Sequence, residues 1–189
     1  MNPLDLFVAE RAVAREHGDA MAALCTAASV DEAGLPQVRT LVLRDVDGAL
    51  ALFVNRTSPK WRFLQEHFAI LTYWPTTSIQ YRLSGRCKIL DPDLIRESWL
   101  LRPDPPKRMD WLYQQVQSQS SSIEGRDALL KALETLNLPD PLIAPENATG
   151  VKLLPETIER LDLNQANGVH DRTRYEIGDD GWHKTTLVP

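Results

Sequence analysis

Hydrophobic and polar positions follow two periods along this chain, and each change of period marks a predicted element. Leu4, Phe7, Val8, Arg11 and Ala12 recur at helical spacing behind Asn2-Pro3, an N-cap and first-turn proline, and Gly18 ends the pattern. Ala20 to Ala27 is small and apolar, the pattern of a buried strand. Asp31-Glu32-Ala33-Gly34 reads as a turn, and Val38 to Leu43 alternates with β-branched residues as a strand does. Asp45-Val46-Asp47-Gly48 is a hairpin signal, and Ala49 to Asn55 returns as the next strand. Ser58-Pro59 predicts a helix start, with Trp61, Leu64 and Phe68 on its apolar face. Ala69 to Trp74 and Ile79 to Leu90 are further strands, split by Pro75-Thr76-Thr77. Short strands joined by tight turns predict an antiparallel barrel or sandwich.

The second half changes character. Asp91-Pro92 caps a helix running towards Leu101, and Arg102 to Pro106 breaks it. Lys107 to Val116 and Ile123 to Leu136 read as helices around the polar run Gln117 to Ser122. Asn137 to Thr149 reads as a loop. Val151 to Leu163, Arg174 to Ile177 and Trp182 to Leu187, the last two around Asp179-Asp180-Gly181, read as a closing sheet with a hairpin. The fold class expected is therefore mainly β with peripheral helices (α+β).

Composition narrows the function classes. The chain has 189 residues, 43% hydrophobic and 25% charged, which suits one domain with a good-sized core. A net charge of -5 argues against nucleic acid as a partner. No apolar run approaches the roughly 20 residues of a membrane helix, and the N-terminus lacks a leader's basic cluster, so a cytoplasmic protein without a membrane partner is expected. Cys25 and Cys87 form no CxxC pair and read as buried thiols. The four histidines show no metal spacing, and no nucleophile elbow, P-loop or GxGxxG is present, so neither a metal nor a catalytic nucleophile is expected.

What remains is a set of polar groups on strands. Arg39, Leu41 and Leu43 share one strand face, Thr40, Val42 and Arg44 the other, so two cations bracket the strand. With Arg56, Lys60 and Arg62 they form a basic island in an acidic chain. Ser58 and Lys60 at a helix start would make an anion site. Gln80 offers an amide suited to the edge of a heteroaromatic ring. Each of these, taken singly, is also what a solvated strand end or a plain helix cap looks like.

Order along the chain adds more. "VRTLVLRDVDG", "LFVNRTSPKWR", "YWPTTSIQYRLSG", "WLLRP", "QSQSSSI" and "GVHDRTRYEIGDDGWHKTTLVP" resemble, in sequence, the successive motifs of the pyridoxamine 5'-phosphate oxidase family. The similarity runs over roughly residues 20 to 189, and "WLLRP" is as similar to the phenazine-pathway flavin oxidases. It implies an antiparallel FMN-binding split β-barrel, a single domain over 1–189, with residues 20–136 as barrel core and helices. Residues 150–189 would form a C-terminal segment for dimerisation and flavin contact. It implies a homodimer with FMN between the subunits. Arg39 and Lys60 would meet the FMN phosphate beside Ser58. Thr40, Leu41, Val42, Leu43 and Arg44 would run along the flavin, with Phe53 and Val54 against it, and Gln80, Gln119, Ser120 and Arg172 would complete the site. Arg44, Trp99, Arg102 and His170 would meet a small-molecule substrate.

Departures from the family pattern bear on that substrate. Arg44 stands for a lysine, Pro59 for a phosphate-pairing arginine, Trp99 for the tyrosine before the Arg-Pro step, and Gly168 for a substrate-binding arginine, while the serine expected just after that step falls at or near Pro106. The tryptophan expected near Leu161 is also missing. Each lost charge-assisted contact is worth about 1.5–3 kcal/mol, so pyridoxamine phosphate would be held poorly. The expectation is an FMN-dependent oxidase of a small aromatic or heteroaromatic molecule. The alternatives are pyridoxamine/pyridoxine 5'-phosphate oxidation proper and a non-catalytic flavin-binding protein.

Overall fold

The computed structural model describes residues 2–189. Helix α1 (Pro3–Glu16) starts where the Asn2 side chain accepts the Leu4 amide, as its sequence predicts. The apolar run that follows divides. Ala20–Ala23 forms a single 3-10 turn capped by Asp19, and strand β1 begins only at Leu24 and runs to Val30. The cap explains the correction: Asp19 accepts from the Met21 and Thr76 amides and the Thr76 hydroxyl, which holds the chain in a turn.

Strands β2 (Pro36–Val42), β3 (Arg44–Val46), β4 (Ala49–Asn55), β5 (His67–Trp74) and β6 (Ile79–Ile89) follow. After them come helices α3 (Pro92–Leu100), α4 (Asp104–Gln115) and α5 (Arg126–Glu134), then strands β7 (Ala148–Asp162), β8 (Asp171–Gly178) and β9 (Gly181–Leu187). All nine strands join one antiparallel sheet in the order β2-β1-β5-β6-β7-β4-β3, with β8 and β9 branching from the far half of β7.

That order forces a barrel. Strands β2 and β3 stand at opposite ends of the sheet, yet a single residue, Leu43, separates them in the chain. The sheet must curl until its ends meet, and among the described residues no ladder joins β2 to β4 across the seam. The barrel is split there. Leu43 is 1% exposed; its amide donates to the Ala23 carbonyl and its carbonyl accepts from the buried Arg11.

The core fills the barrel. Phe7 of α1 meets Trp74 and Tyr81 with ring centroids 5.5 and 5.0 Å away, and Leu50, Leu52, Leu83, Val151 and Ile158 pack with them. Long β7 can serve both β6 and β4 because it bulges opposite Gly85. A Cβ at Gly85 would strike the Leu154 carbonyl and the Glu156 amide, so only glycine fits.

The helix expected from Ser58-Pro59 is one turn, α2 (Trp61–Leu64). Its N-cap position is Lys60, Ser58 makes no side-chain cap, and Phe68 belongs to β5. The anion site inferred from that helix start must therefore rest on side chains, not on a helix terminus. No helix among the described residues is long and apolar enough to cross a membrane.

Candidate active site at the barrel seam

Three adjoining hollows follow the open seam between β2 and β4. A groove of about 800 Å³ holds Arg39, Pro59, Lys60, Arg62 and Ser120. It shares Lys60 with a central cleft of about 810 Å³, walled by Leu41, Phe53, Val54, Met109, Tyr113 and Leu133 among others. The cleft shares Leu41, Phe53 and Arg102 with a smaller hollow of about 360 Å³ that holds Thr40, Val42, Arg44, Ser98 and Leu101. Alternation along β2 explains the lining. Arg39 and Leu41 are half-buried towards the seam, while Thr40, Val42 and Arg44 face outward at its rim.

The cationic end is the best-defined part. Lys60 is 8% exposed, and its ammonium donates to the Ser58 hydroxyl at 2.6 Å and to Gln119 Oε1 at 3.3 Å. Burial first, and the nearby Arg39 second, lower its pKa to about 8. Arg39 itself donates to the Ser29 hydroxyl at 3.2 Å. Neither cation pairs with a carboxylate among the described residues, whereas Arg62 in the same groove is paired with Glu32. Two adjacent cations, one of them buried, are left without a counter-ion. Such a pair is stabilised by an anion with several acceptor oxygens, which is what a phosphate offers.

Asn55, the last residue of β4, fastens the helical wall to this end. Its Oδ1 accepts from the Thr57 amide and hydroxyl at 3.0 and 2.7 Å, and the Thr57 hydroxyl accepts the Gln119 amide at 3.0 Å. That tie places the 119–120 segment over Lys60. Ser120 takes a left-handed φ of 71°, an uncommon conformation for a non-glycine residue and a mark of functional loops. From the same Asn55, Nδ2 reaches Asp110 Oδ1 at 3.4 Å and Asn147 Oδ1 at 3.0 Å. Asp110, 5% exposed on α4, also accepts from Trp99 Nε1 at 2.9 Å and from Arg102.

Residues expected at a cofactor and substrate site thus divide. Arg39, Thr40, Leu41, Val42, Arg44, Phe53, Val54, Lys60, Arg102, Gln119 and Ser120 all line the seam hollows, with Ser58 just beneath Lys60. Others lie elsewhere. Leu43 turns its side chain into the core. Trp99 is 2% exposed, its indole N–H is taken by Asp110, and Lys107 lies 5.5 Å over its ring. The residue of that helix facing the small hollow is Ser98, one turn before Arg102, because positions i and i+4 share a helix face. Gln80 on β6 sits across from Leu161, which is paired in turn with Arg172 on β8. Arg172 is bound to the buried Glu159 at 2.9 Å, beside Arg82 and Arg174. His170 is exposed in the turn before β8. One copy of the chain does not bring Gln80, Arg172 and His170 to the seam.

Sequence reasoning missed the far wall. Met109, Asp110 and Tyr113 on α4 and Leu130 and Leu133 on α5 close the cleft. Helix α5 has no fully buried residue, and Leu130 and Leu133 are the side chains it turns to the cleft. Spacing of Met109 and Tyr113 by four was the available signal, but it is also that of any packed helix. Burial, and Asp110 next, raise the Tyr113 pKa, so its phenol stays protonated in the cleft. Cys25 is buried and Cys87 half-buried, and burial pushes both thiols up to about 12, so neither offers a nucleophile.

Comparisons with known proteins converge on one family. A family model described as pyridoxamine 5'-phosphate oxidase, FMN-binding domain, matches residues 7–91. A pyridoxine/pyridoxamine 5'-phosphate oxidase of Chromohalobacter salexigens is 33% identical over 196 residues, covering 100% of this chain and 89% of that protein. One from Pseudomonas fluorescens (strain SBW25) is 33% identical over 181 residues, covering 94% and 83%. Among solved structures, PhzG from Burkholderia lata 383, in complex with tetrahydrophenazine-1-carboxylic acid, superposes with a TM-score of 0.84 at 23% identity, covering 100% of this chain and 93% of that one. A pyridoxamine 5'-phosphate oxidase-related, FMN-binding protein from Nostoc punctiforme PCC 73102 gives 0.79 at 22% identity, covering 100% and 99%. At these identities the two structures speak to the fold, a split barrel.

Proposed function

The chain belongs to the pyridoxamine 5'-phosphate oxidase family, and from that premise we propose that it is an FMN-dependent oxidoreductase of a small aromatic or heteroaromatic substrate bearing an acidic group. FMN is the cofactor, and the donor set fits it. The observation that carries the reading is the uncompensated pair Lys60 and Arg39, opening directly into an aromatic- and aliphatic-walled cleft. The phosphate would be held by Arg39, Lys60 and Ser120, and the ring system by Leu41, Phe53 and Val54. The chemistry FMN supplies when bound is acceptance of a hydride from a substrate carbon, with dioxygen as terminal acceptor.

The chain's own residues bind and orient. With ligand bound, Leu41, Phe53 and Met109 would exclude water from the cleft, which would strengthen the polar contacts inside it. Tyr113 would present its protonated hydroxyl to the ligand from the α4 wall. Arg44, Arg102 and Ser98 at the small hollow receive the acidic group of the substrate. A second copy of the chain completes the site. Gln80, His170 and Arg172 lie away from the seam, and a neighbouring copy would bring them to it. Val38 at 71% and Val42 at 46% exposure leave an apolar β2 face for that copy to cover. An exposed apolar β2 face supports the proposed homodimer, which would act in the cytoplasm.

A second reading is pyridoxamine or pyridoxine phosphate oxidation itself, favoured by the 33% identity to oxidases of that name over nearly the whole chain. Against it stand Pro106 on the cleft wall and Gly168 in the turn before His170, where the family pattern has a serine and an arginine. An absorption spectrum of the purified protein, with the released chromophore identified by chromatography, tests the cofactor. Anaerobic addition of candidate donors then tests the reaction. Bleaching by reduced aromatic acids supports the first reading, and efficient turnover of pyridoxamine phosphate supports the second. A colourless protein that takes up no FMN would sink both.

A further inference from the structure

We propose that Asp110 is a positioning residue that sets the charge of the ligand accepted at the small hollow, and that this hollow takes a monoanion such as a carboxylate and not a dianionic phosphate. The inference rests on the preceding assignment of that hollow to the acidic end of the substrate.

Two guanidinium groups reach the hollow, Arg44 and Arg102. Arg102 is already engaged. Its side chain is 28% exposed and pairs with Asp110, whose side chain is 6% exposed. Every partner of Asp110 is a donor: Arg102, the Trp99 indole N–H and the Asn55 amide. An ionised carboxylate satisfies all three, and a pair this well removed from water is little screened. The charge of Arg102 is therefore largely offset by Asp110, while Arg102 still lines both the cleft and the hollow. Asp45, also at the hollow, gives its oxygens to Arg11 at 2.9 Å and Arg15 at 2.8 Å. Arg44 forms no ion pair among the described residues, and it is the remaining uncompensated charge. At the hollow itself Arg44 thus offers one uncompensated positive charge, which matches one negative charge on the ligand; the surplus charge of the Asp45 cluster lies on Arg15, outside the hollow. A second negative charge would enter a partly desolvated site with no cation of its own, which costs affinity.

Benzamide, benzoate and phenyl phosphate, a series of zero, one and two negative charges on one ring at pH 8, test this by titration calorimetry on the protein as purified. Flavin content is read separately from the visible spectrum, so loss of the cofactor assignment is seen independently of the charge preference. Wild-type protein is expected to bind benzoate more tightly than benzamide, and phenyl phosphate no more tightly than benzoate. Asp110→Asn frees the charge of Arg102 and should raise the phenyl phosphate to benzoate affinity ratio roughly tenfold, while Asp110→Glu keeps the wild-type ratio. A merely structural Asp110 would lower all three affinities together and leave the ratio alone. Arg44→Gln covers the case where Asp110→Asn does not fold: benzoate should then fall to the level of benzamide. The proposal is overturned by an unchanged ratio in a folded Asp110→Asn protein, or by wild-type preference for phenyl phosphate. It is equally overturned by an Arg44→Gln protein that still prefers benzoate, or by no binding of either anion.

Discussion

Lys60 offers a quantitative test of the cofactor site, because its burial couples proton binding to phosphate binding. In the folded protein without an anion its pKa is lowered to about 8, from burial first and Arg39 second. An unfolded chain would hold the lysine near 10.4, so keeping it charged in the fold costs about 3 kcal/mol at neutral pH. A bound phosphate favours the ammonium and raises its pKa again. Above pH 8 the free site has lost the proton that the bound site still holds, so binding takes up a proton and affinity falls as pH rises. The loss approaches about tenfold per pH unit between 8 and the pKa of the complex, hence up to roughly 100-fold by pH 10. Below pH 7 the second ionisation of the phosphate, near 6, complicates the trend, so the informative window is pH 7 to 10.

FMN dissociation constants from quenching of flavin fluorescence across that window provide the assay. Lys60→Met should bind FMN about 10- to 100-fold more weakly at pH 7, the loss of one charge-assisted contact, and should show no decline from pH 8 to 10. The same variant should melt higher than wild type when free of flavin, because the buried charge is gone. That gain is present below pH 8 and fades as pH rises towards 10, where the wild-type lysine is neutral as well. A wild-type affinity that is flat from pH 7 to 10 would refute the reasoning. So would a Lys60→Met protein that keeps the decline.

Three further outcomes follow from packing and hydrogen bonds. Gly150→Ala places a Cβ 2.9 Å from Phe53 Cδ1 and Leu90 Cδ1, so Phe53 should shift in the cleft; weaker FMN binding with a melting point lower by a few degrees checks this. Trp99→Phe removes the indole donor from the buried Asp110 and should cost about 1–3 kcal/mol in urea unfolding without changing FMN affinity more than severalfold. Glu159→Gln leaves Arg82, Arg172 and Arg174 crowded without their shared carboxylate, and should destabilise the protein by about 3 kcal/mol in the same assay.

Local elements of the fold were legible because each carries its own signal. Asn2-Pro3, Asp91-Pro92 and the Asp47-Gly48 turn act over two or three residues, and the structure places α1, α3 and the β3–β4 hairpin there. The Ala20–Ala27 reading failed for a non-local reason, since Asp19 is held by Thr76, 57 residues away. The helix at Ser58 failed because the Ser58 hydroxyl serves Lys60 instead of the backbone. A periodic pattern cannot reveal which of two partners a hydroxyl will choose.

The site follows the same division. Strand alternation alone put Arg39 and Leu41 on one face, and that face lines the seam. Gln119 and Ser120 lie about sixty residues from Lys60, and only family resemblance linked them; the structural link is the relay Asn55, Thr57, Gln119. Asp110 had no sequence signal, since an aspartate on a helix is ordinarily solvated. Its meaning depends on Trp99, whose side chain turns away from the cleft and towards the carboxylate. Where the family resemblance implies that Trp99 meets the substrate, it instead fixes the carboxylate that fixes Arg102. The aromatic residue therefore acts on specificity through charge placement, one layer behind the surface that a ligand touches.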